Sequence, residues 1–431
     1  MTSIHKIGLG IAVACAALAV QPAAAQQAAT FKLGVVTFLS GAAAGPFGVP
    51  ARNAAELVIE TLNASKMPAP YDKKGINGLP VEMAVVDEAG GTTKQVTEYR
   101  NLVQRANVDA IIGYISSGDC LAIAPLADEL KKLTIFFDCG TPRIFEDASY
   151  KYLFRTGPHA TMDNVAAARY LLARNKDIKT IAGINQNYAW GQDSWNDFKA
   201  SMQALSPGIK IATEQFPKLL AGQYGAEISA LLVEKPNVIH SSFWGGDMEA
   251  FTLQGKARGV FDDRTVVMTA GEPAMFRMAT QIPNGTVIGA RGPHGVFAPD
   301  NALNNWFRAA YSERYGTPPV YPSYKMVQAI LGLKAAMEKA AAGKPEMPAT
   351  DAVITAFEGL SYETPSGRVD MKLGKGHQAI QDMAYGTFKF DAAQGQPQLV
   401  DVVRYPAECV NPPEGVKSEE WIKGGFKGAK C

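Results

Sequence analysis

Six short segments carry the side chains that could do chemistry. In the first half of the chain they are Leu39–Gly48 (rich in Gly, Ala and Ser), Ser116-Ser117-Gly118-Asp119, and Asp138-Cys139-Gly140-Thr141-Pro142. In the second half they are Asn187-Tyr188-Ala189-Trp190-Gly191, Phe243-Trp244-Gly245-Gly246 and Ala270-Gly271-Glu272-Pro273. The first set offers hydroxyls and small residues just ahead of helices. It suits an anion such as a carboxylate, held by free backbone N–H groups and by Ser or Thr hydroxyls. The second set offers rings, which give apolar walls of fixed shape, and one acid, Glu272, which can accept a cation. A zwitterion with an apolar side chain fits between the two sets. Burying its charges unpaired is costly, so both ends need partners.

The same residues have plain structural uses. Ser116, Ser117 and Thr141 can cap helices, and Glu272 can cap the segment after Pro273. Tyr188, Trp190, Phe243 and Trp244 can be core. Asp138 can serve a ligand or a nearby helix terminus, and Asp119 reads as a first-turn helix acid.

What makes these segments a group is the elements around them. Phe31–Phe38, Val81–Asp87, Val108–Tyr114 and Leu133–Phe137 read as strands, with helices over Gly48–Ala64, Thr92–Arg105 and Asp119–Lys131 between them. Tyr152–Arg155 reads as a short crossing strand. A second run follows His159, with strands at Thr180–Asn185, Ile209–Phe216, Val238–Phe243, Thr265–Thr269 and Thr286–Ala290, again separated by helices. This alternation is the pattern of parallel sheets with helices on both faces. Ligands of such sheets bind beyond the carboxyl ends of strands, where the six segments fall. Beyond residue 300, Asn301–Tyr315, Tyr324–Ala341 and Ala352–Leu360 read as helices. Gly367–Val369 and Tyr385–Phe390 read as a hairpin-like pair, and the tail from Pro406 is rich in Pro and Gly.

The chain has 431 residues, enough for two or three domains, and 47% of them are apolar. Lys and Arg number 42 and Asp and Glu 41, a balance that argues against a nucleic-acid or polybasic membrane surface. Residues 1–25 read as a cleaved signal peptide: Lys6, an apolar run over Ile7–Val20, then Gln21-Pro22-Ala23-Ala24-Ala25. The run is shorter than the ~20 residues of a spanning helix. Cleavage removes Lys6 and Cys15 and leaves four cysteines, which in an exported protein suggest two disulfides. Three pairings are possible. Cys120–Cys139, at the ends of neighbouring elements, and Cys409–Cys431, both in the tail, are the expected ones.

Motifs of enzymes are missing. There is no Gly-x-Ser-x-Gly elbow (Gly113–Gly118 has the wrong spacing), no P-loop in the mature chain, no His-Glu-x-x-His and no Cys-x-x-Cys. The sequence therefore predicts no enzyme, no cofactor and no metal site, with a hydrolase built from a long-range serine triad as the remote alternative.

Leu33-Gly34-Val35 with Ser40-Gly41 and Gly45-Pro46-x-Gly48, then Val85-Val86-Asp87, Ile111-Ile112-Gly113, Phe154-Arg155-Thr156, Tyr188-Ala189-Trp190-Gly191 and Gly271-Glu272 together resemble the periplasmic substrate-binding proteins of branched-chain amino-acid type ABC transporters. The resemblance runs from about Phe31 to about Phe390. It implies an α/β type I periplasmic-binding-protein fold, two Rossmann-like lobes joined by three crossovers. The expected division is 26–157 plus 290–366 for one lobe and 158–289 plus 367–431 for the other. It implies a small ligand such as an amino acid captured in the cleft by hinge closure, a membrane permease as partner, a periplasmic location, and a monomer. Ser116 matches the serine that holds the ligand carboxylate, and Asp138, Gly140 and Thr141 match the next loop. Trp190 or Tyr188 matches the aromatic of the second lobe, Phe243 or Trp244 a second aromatic, and Glu272 the acid that accepts the ammonium. Asp138 stands where amino-acid binders of this family have uncharged residues; beside a ligand carboxylate it needs a partner. Related members binding aromatic acids, amides or urea-like compounds are the alternative, as is a sensory module of the same fold.

Overall fold

A computed structural model describes residues 1–3, 29–344 and 346–431; the expected signal segment lies almost wholly outside the described residues. The first five strands are β1 (Phe31–Thr37), β2 (Val81–Asp87), β3 (Ala110–Gly113), β4 (Thr134–Phe136) and β5 (Leu153–Arg155). They pair in the order β2-β1-β3-β4-β5, all parallel. The inner strands β3 and β4 are buried at every residue and, but for Thr134, apolar, and β1 is buried except at Lys32, as a parallel sheet between two helix layers requires.

The second five repeat the plan. They are β6 (Thr180–Ile184), β7 (Lys210–Gln215), β8 (Val238–Ser241), β9 (Thr265–Met268) and β10 (Val287–Gly289), in the order β7-β6-β8-β9-β10. In each sheet the strand order reverses beside its first strand, between β1 and β3 and between β6 and β8. Those are the two switch points at which loops diverge and leave a crevice.

After residue 300 the chain returns to both sheets. The helix Tyr321–Ala341 packs on the helix Val49–Asn63 and is buried through most of its length, including Lys325, Gln328 and Lys334. Then β11 (Ser361–Thr364), β12 (Gly367–Leu373) and β13 (Gln378–Ile380) extend the first sheet beside β5, and β14 (Met383–Asp391) and β15 (Gln396–Tyr405) extend the second beside β10.

This corrects two expectations. Gly367–Val369 and Tyr385–Phe390 do not pair with each other. The former lies in β12, antiparallel to β11 and β13, and the latter lies in β14, antiparallel to β15 and β10. The division at 366/367 also moves, because β12 and β13 bond into the first sheet. The chain changes sheets within Gln381-Asp382, where Gln328 Nε2 donates to Gln381 Oε1 at 2.9 Å.

Both expected disulfides form, Cys120 with Cys139 and Cys409 with Cys431. The first ties the helix Ser117–Glu129 to the loop after β4. The second closes the tail, whose Trp421, Ile422 and Phe426 pack into the second lobe's core. Closing a loop of about 20 residues stabilises by about 3 kcal/mol through the unfolded chain. Mass analysis without reductant should show no alkylatable thiol in the mature protein. The double variant Cys409→Ser, Cys431→Ser should lose about 2–4 kcal/mol in denaturant titration; an unchanged midpoint would place the tail outside the cooperative unit.

Candidate functional site

The loops at the two switch points face each other. After β3, the fully buried Glu88 accepts N–H bonds from Ile115 at 2.9 Å and Ser116 at 2.7 Å, which fixes the turn into the helix Ser117–Glu129. Burial and the neighbouring Asp119 carboxyl push the Glu88 carboxyl well up. Ser116 caps that helix by accepting the Asp119 N–H at 3.4 Å. Ser117 Oγ accepts from Gly140 N at 3.1 Å and Thr141 N at 3.2 Å, which leaves its own proton free to donate. Serines at the helix start thus set the loop after β4, and the disulfide at Cys139 holds it there.

From the second lobe come rings. Tyr188 and Trp190 open the helix Ala189–Leu205, and Trp190 Nε1 donates to Ser242 O at 2.9 Å. Trp244 Nε1 donates to Tyr188 Oη at 2.7 Å, so the Tyr188 proton is also free. Burial pushes the Tyr188 hydroxyl well up, which keeps that proton on. Phe47 meets Trp244 and Tyr321 edge-on, with centroids 5.5 and 5.3 Å apart. Between these rings and the first-lobe loops is a cavity of about 10 Å³, room for about one water. The lobes are closed on each other.

The closure is bonded. Thr141 Oγ1 donates to Asp193 Oδ2 at 2.6 Å and Arg143 Nε to Asp193 Oδ1 at 2.9 Å, both across the cleft, and Gly246 N donates to Ala42 O at 2.9 Å. At the back of the cavity stands Arg291, the second residue after β10. Its Nη1 donates to Asp138 Oδ1 at 2.7 Å, its Nε to Asp163 Oδ2 at 3.2 Å, and its guanidinium lies 4.2 Å from the Trp190 ring centre. Lys325 Nζ adds a second bond to Asp138 at 2.8 Å. Two acids and two bases are thus buried together. Burial and the Arg291 charge push the Lys325 ammonium down to about 8, while the two carboxylates hold the guanidinium protonated. Asp138 is therefore paired, as its place in the loop demands. Its Oδ2 has no partner.

Of the residues singled out from sequence, Ser117, Asp138, Gly140, Tyr188, Trp190 and Trp244 line this cavity together. Ser116 lies behind it as a cap, and Thr141 is spent on Asp193. Phe243 packs against Tyr224 and Phe251. Glu272 is fully buried, its two oxygens accepting from Val296 N at 3.3 Å and Tyr321 N at 2.8 Å. The sequence reading missed Arg291, Tyr321 and Ile115 on the cavity wall, and it held Phe47 only as part of the segment Leu39–Gly48. Arg291 carried a usable signal, since it follows a strand end as the others do.

Parallel sheets meeting at their switch points over a ring-lined cavity define a two-lobed cleft binder. The model of the periplasmic binding protein family matches residues 30–395, and the chain belongs to that family. The fold is that of an R. palustris ABC-transporter solute-binding protein solved with benzoate, at 19% identity and a TM-score of 0.76 over 90% of this chain and 100% of that one. A relative from Rhodopseudomonas palustris BisB5, solved with 3,4-dihydroxybenzoic acid, is 22% identical with a TM-score of 0.71, over 88% and 98% of the two chains. A leucine-binding protein from Thermotoga maritima is 17% identical with a TM-score of 0.70, over 87% and 99%. No curated protein matches the chain.

Burial pushes the Glu272 carboxyl up to about 8, against the two N–H bonds and the Arg308 charge. Between its ordinary value of 4.5 and that value, the folded protein keeps a proton that the unfolded chain has lost. The unfolded state binds fewer protons there, so this group's contribution makes stability fall as pH rises through that window. The drop in denaturant midpoint from pH 5 to pH 8 should be smaller in Glu272→Gln than in the natural protein; equal drops would contradict a buried, proton-holding Glu272.

Proposed function

We propose that this chain is the solute-binding component of an ABC importer and captures a small aromatic carboxylate by closing its lobes. The observation that carries the reading is the cavity wall. Tyr188, Trp190, Trp244, Phe47 and Tyr321 offer ring faces and edges to a flat apolar body. The carboxylate has the hydroxyl protons of Ser117 and Tyr188 and the starts of the helices Ser117–Glu129 and Ala189–Leu205, whose first N–H groups favour an anion. The unpartnered Asp138 Oδ2 suits a donor at the far end of the ring, such as a phenolic hydroxyl. The benzoate and dihydroxybenzoate in the similar structures agree with that chemistry.

An amino acid is the second reading, favoured by the same Asp138 Oδ2, which could take an ammonium. Glu272 supports it less, because its oxygens already hold two backbone N–H groups. A hydrolase reading would need a base accepting the Ser116 proton, and among the described residues the one hydrogen bond found at that hydroxyl is from the Asp119 N–H it caps. We read the chain as non-enzymatic and monomeric, exported to the periplasm by a cleaved segment 1–25, with a membrane permease as the partner of its closed form.

Capture works through differential contact. A ligand held by Ser117 of one lobe and Tyr188 and Trp190 of the other binds a form closed around it, with the rings set wider than in the one-water cavity seen here, better than the open one, and only that difference shifts the population.

Titration calorimetry, with quenching of Trp190 and Trp244 fluorescence as a second readout, should rank 4-hydroxybenzoate above benzoate and benzoate above leucine. Tyr188→Phe should weaken both benzoates about tenfold, the loss of one charge-assisted bond. Leucine binding more tightly than either benzoate would overturn the reading.

A further inference from the structure

A second cavity lies outside the cleft, with a volume of about 290 Å³. Its walls come from the short helix Arg143–Glu146, the ends of β5 and β12, and the tail segment 412–417. The tail wall lies beyond residues 30–395 that the family model matches, so this enclosure is built by the chain's own extension.

Its inner wall carries Arg155, which is fully buried. Arg155 Nε donates to Gln378 Oε1, and Nη1 to Cys139 O at 3.1 Å and Thr141 O at 2.6 Å. Those acceptors are all neutral, and Nη2 has no partner. No carboxylate bonds it directly: Glu146, Asp163 and Asp193 act on the guanidinium only through space, and a buried charge with an open donor is costly unless an acceptor completes it. Burial, and then the like charge of Arg291, push this group down to about 9.

His159 lies on the same wall. Its Nδ1 accepts the Thr161 N–H at 3.3 Å, which leaves its proton on Nε2 as a donor. The two acids of the cavity are turned to other work. Glu146 accepts from Ser418 N at 3.0 Å, and Glu414 from Lys375 N at 2.8 Å. Lys375 and Lys417 add positive charge at the rim, although Lys417 also pairs with Asp147 at 2.8 Å. The remaining surface is apolar, from Phe145, Leu373, Pro412 and Val416.

We propose that this cavity is a second ligand site, for a small carboxylate with an apolar body, the carboxylate set toward Arg155 and His159 and the body against Phe145, Leu373 and Val416. The site is joined to the cleft through one residue. Arg155 Nη1 holds the carbonyls of Cys139 and Thr141, on either side of the Gly140 that lines the cleft cavity.

The site stands apart from the cleft reading and is tested without it. Equilibrium dialysis of radiolabelled benzoate at millimolar concentration against the mature protein counts equivalents per chain. Val416→Trp fills the cavity from the exposed tail and should remove one equivalent. Lys375→Glu, also exposed, reverses a rim charge and should weaken that equivalent about fivefold or more. If the cleft does not take benzoate, the natural protein binds a single equivalent and Val416→Trp abolishes it. Benzoate binding that is the same in the natural protein and in both variants, whatever the number of equivalents, overturns the proposal.

Discussion

The arrangement depends on one buried cluster of charge. Asp138, Asp163, Arg291 and Lys325 come from the loop after β4, the first turn of the helix Ala160–Arg174, the segment after β10, and the helix Tyr321–Ala341. None is tolerable alone, since removing one partner of a buried pair costs roughly 3–5 kcal/mol. Each therefore fixes the others, and the elements that carry them. The cluster joins both lobes, and Trp190 lies on the guanidinium at its edge. The back of the cleft is thus an electrostatic joint of set geometry, while the apolar rings in front can separate at lower cost.

That division explains how a closing binder can be built from two rigid sheets. The cores under β1–β5 and β6–β10 are close-packed and do not deform continuously. The hydrogen bonds that span the cleft in front are few, Thr141 and Arg143 on Asp193 and Gly246 on Ala42, and beside them Trp244 meets Phe38 and Phe47. Arg143 is partly exposed, so water can replace its bond when the lobes part. A ligand between the rings would add contacts on both sides and tilt the equilibrium toward the closed form.

Much of this was legible in the sequence, for a physical reason. Parallel strands buried on both faces must be apolar throughout, so Val35-Val36 and Ile111-Ile112 announce themselves, and the strand-end rule then picks out Ser117, Gly140, Tyr188 and Trp190. What escaped depends on distance along the chain. Arg291 meets Asp138 across 153 positions, and Lys325 across 187. A lysine inside a helix reads as solvated until its partner is known. Glu272 has the right place for a ligand acid, yet its oxygens hold backbone 24 and 49 positions on. β15 lies at a sheet edge, half-exposed and carrying Pro397, so its pattern blurs into the Pro- and Gly-rich tail. The step of β12 and β13 into the first sheet had no local signal, because antiparallel strands of either lobe read alike.

If ligand contacts from both lobes drive closure, small-angle X-ray scattering measures it most directly. The mature protein in ligand-free solution should be more extended than this closed form, and saturating 4-hydroxybenzoate should shrink its radius of gyration toward the value calculated from it. Calorimetrically confirmed binding with an unchanged scattering curve would contradict the account.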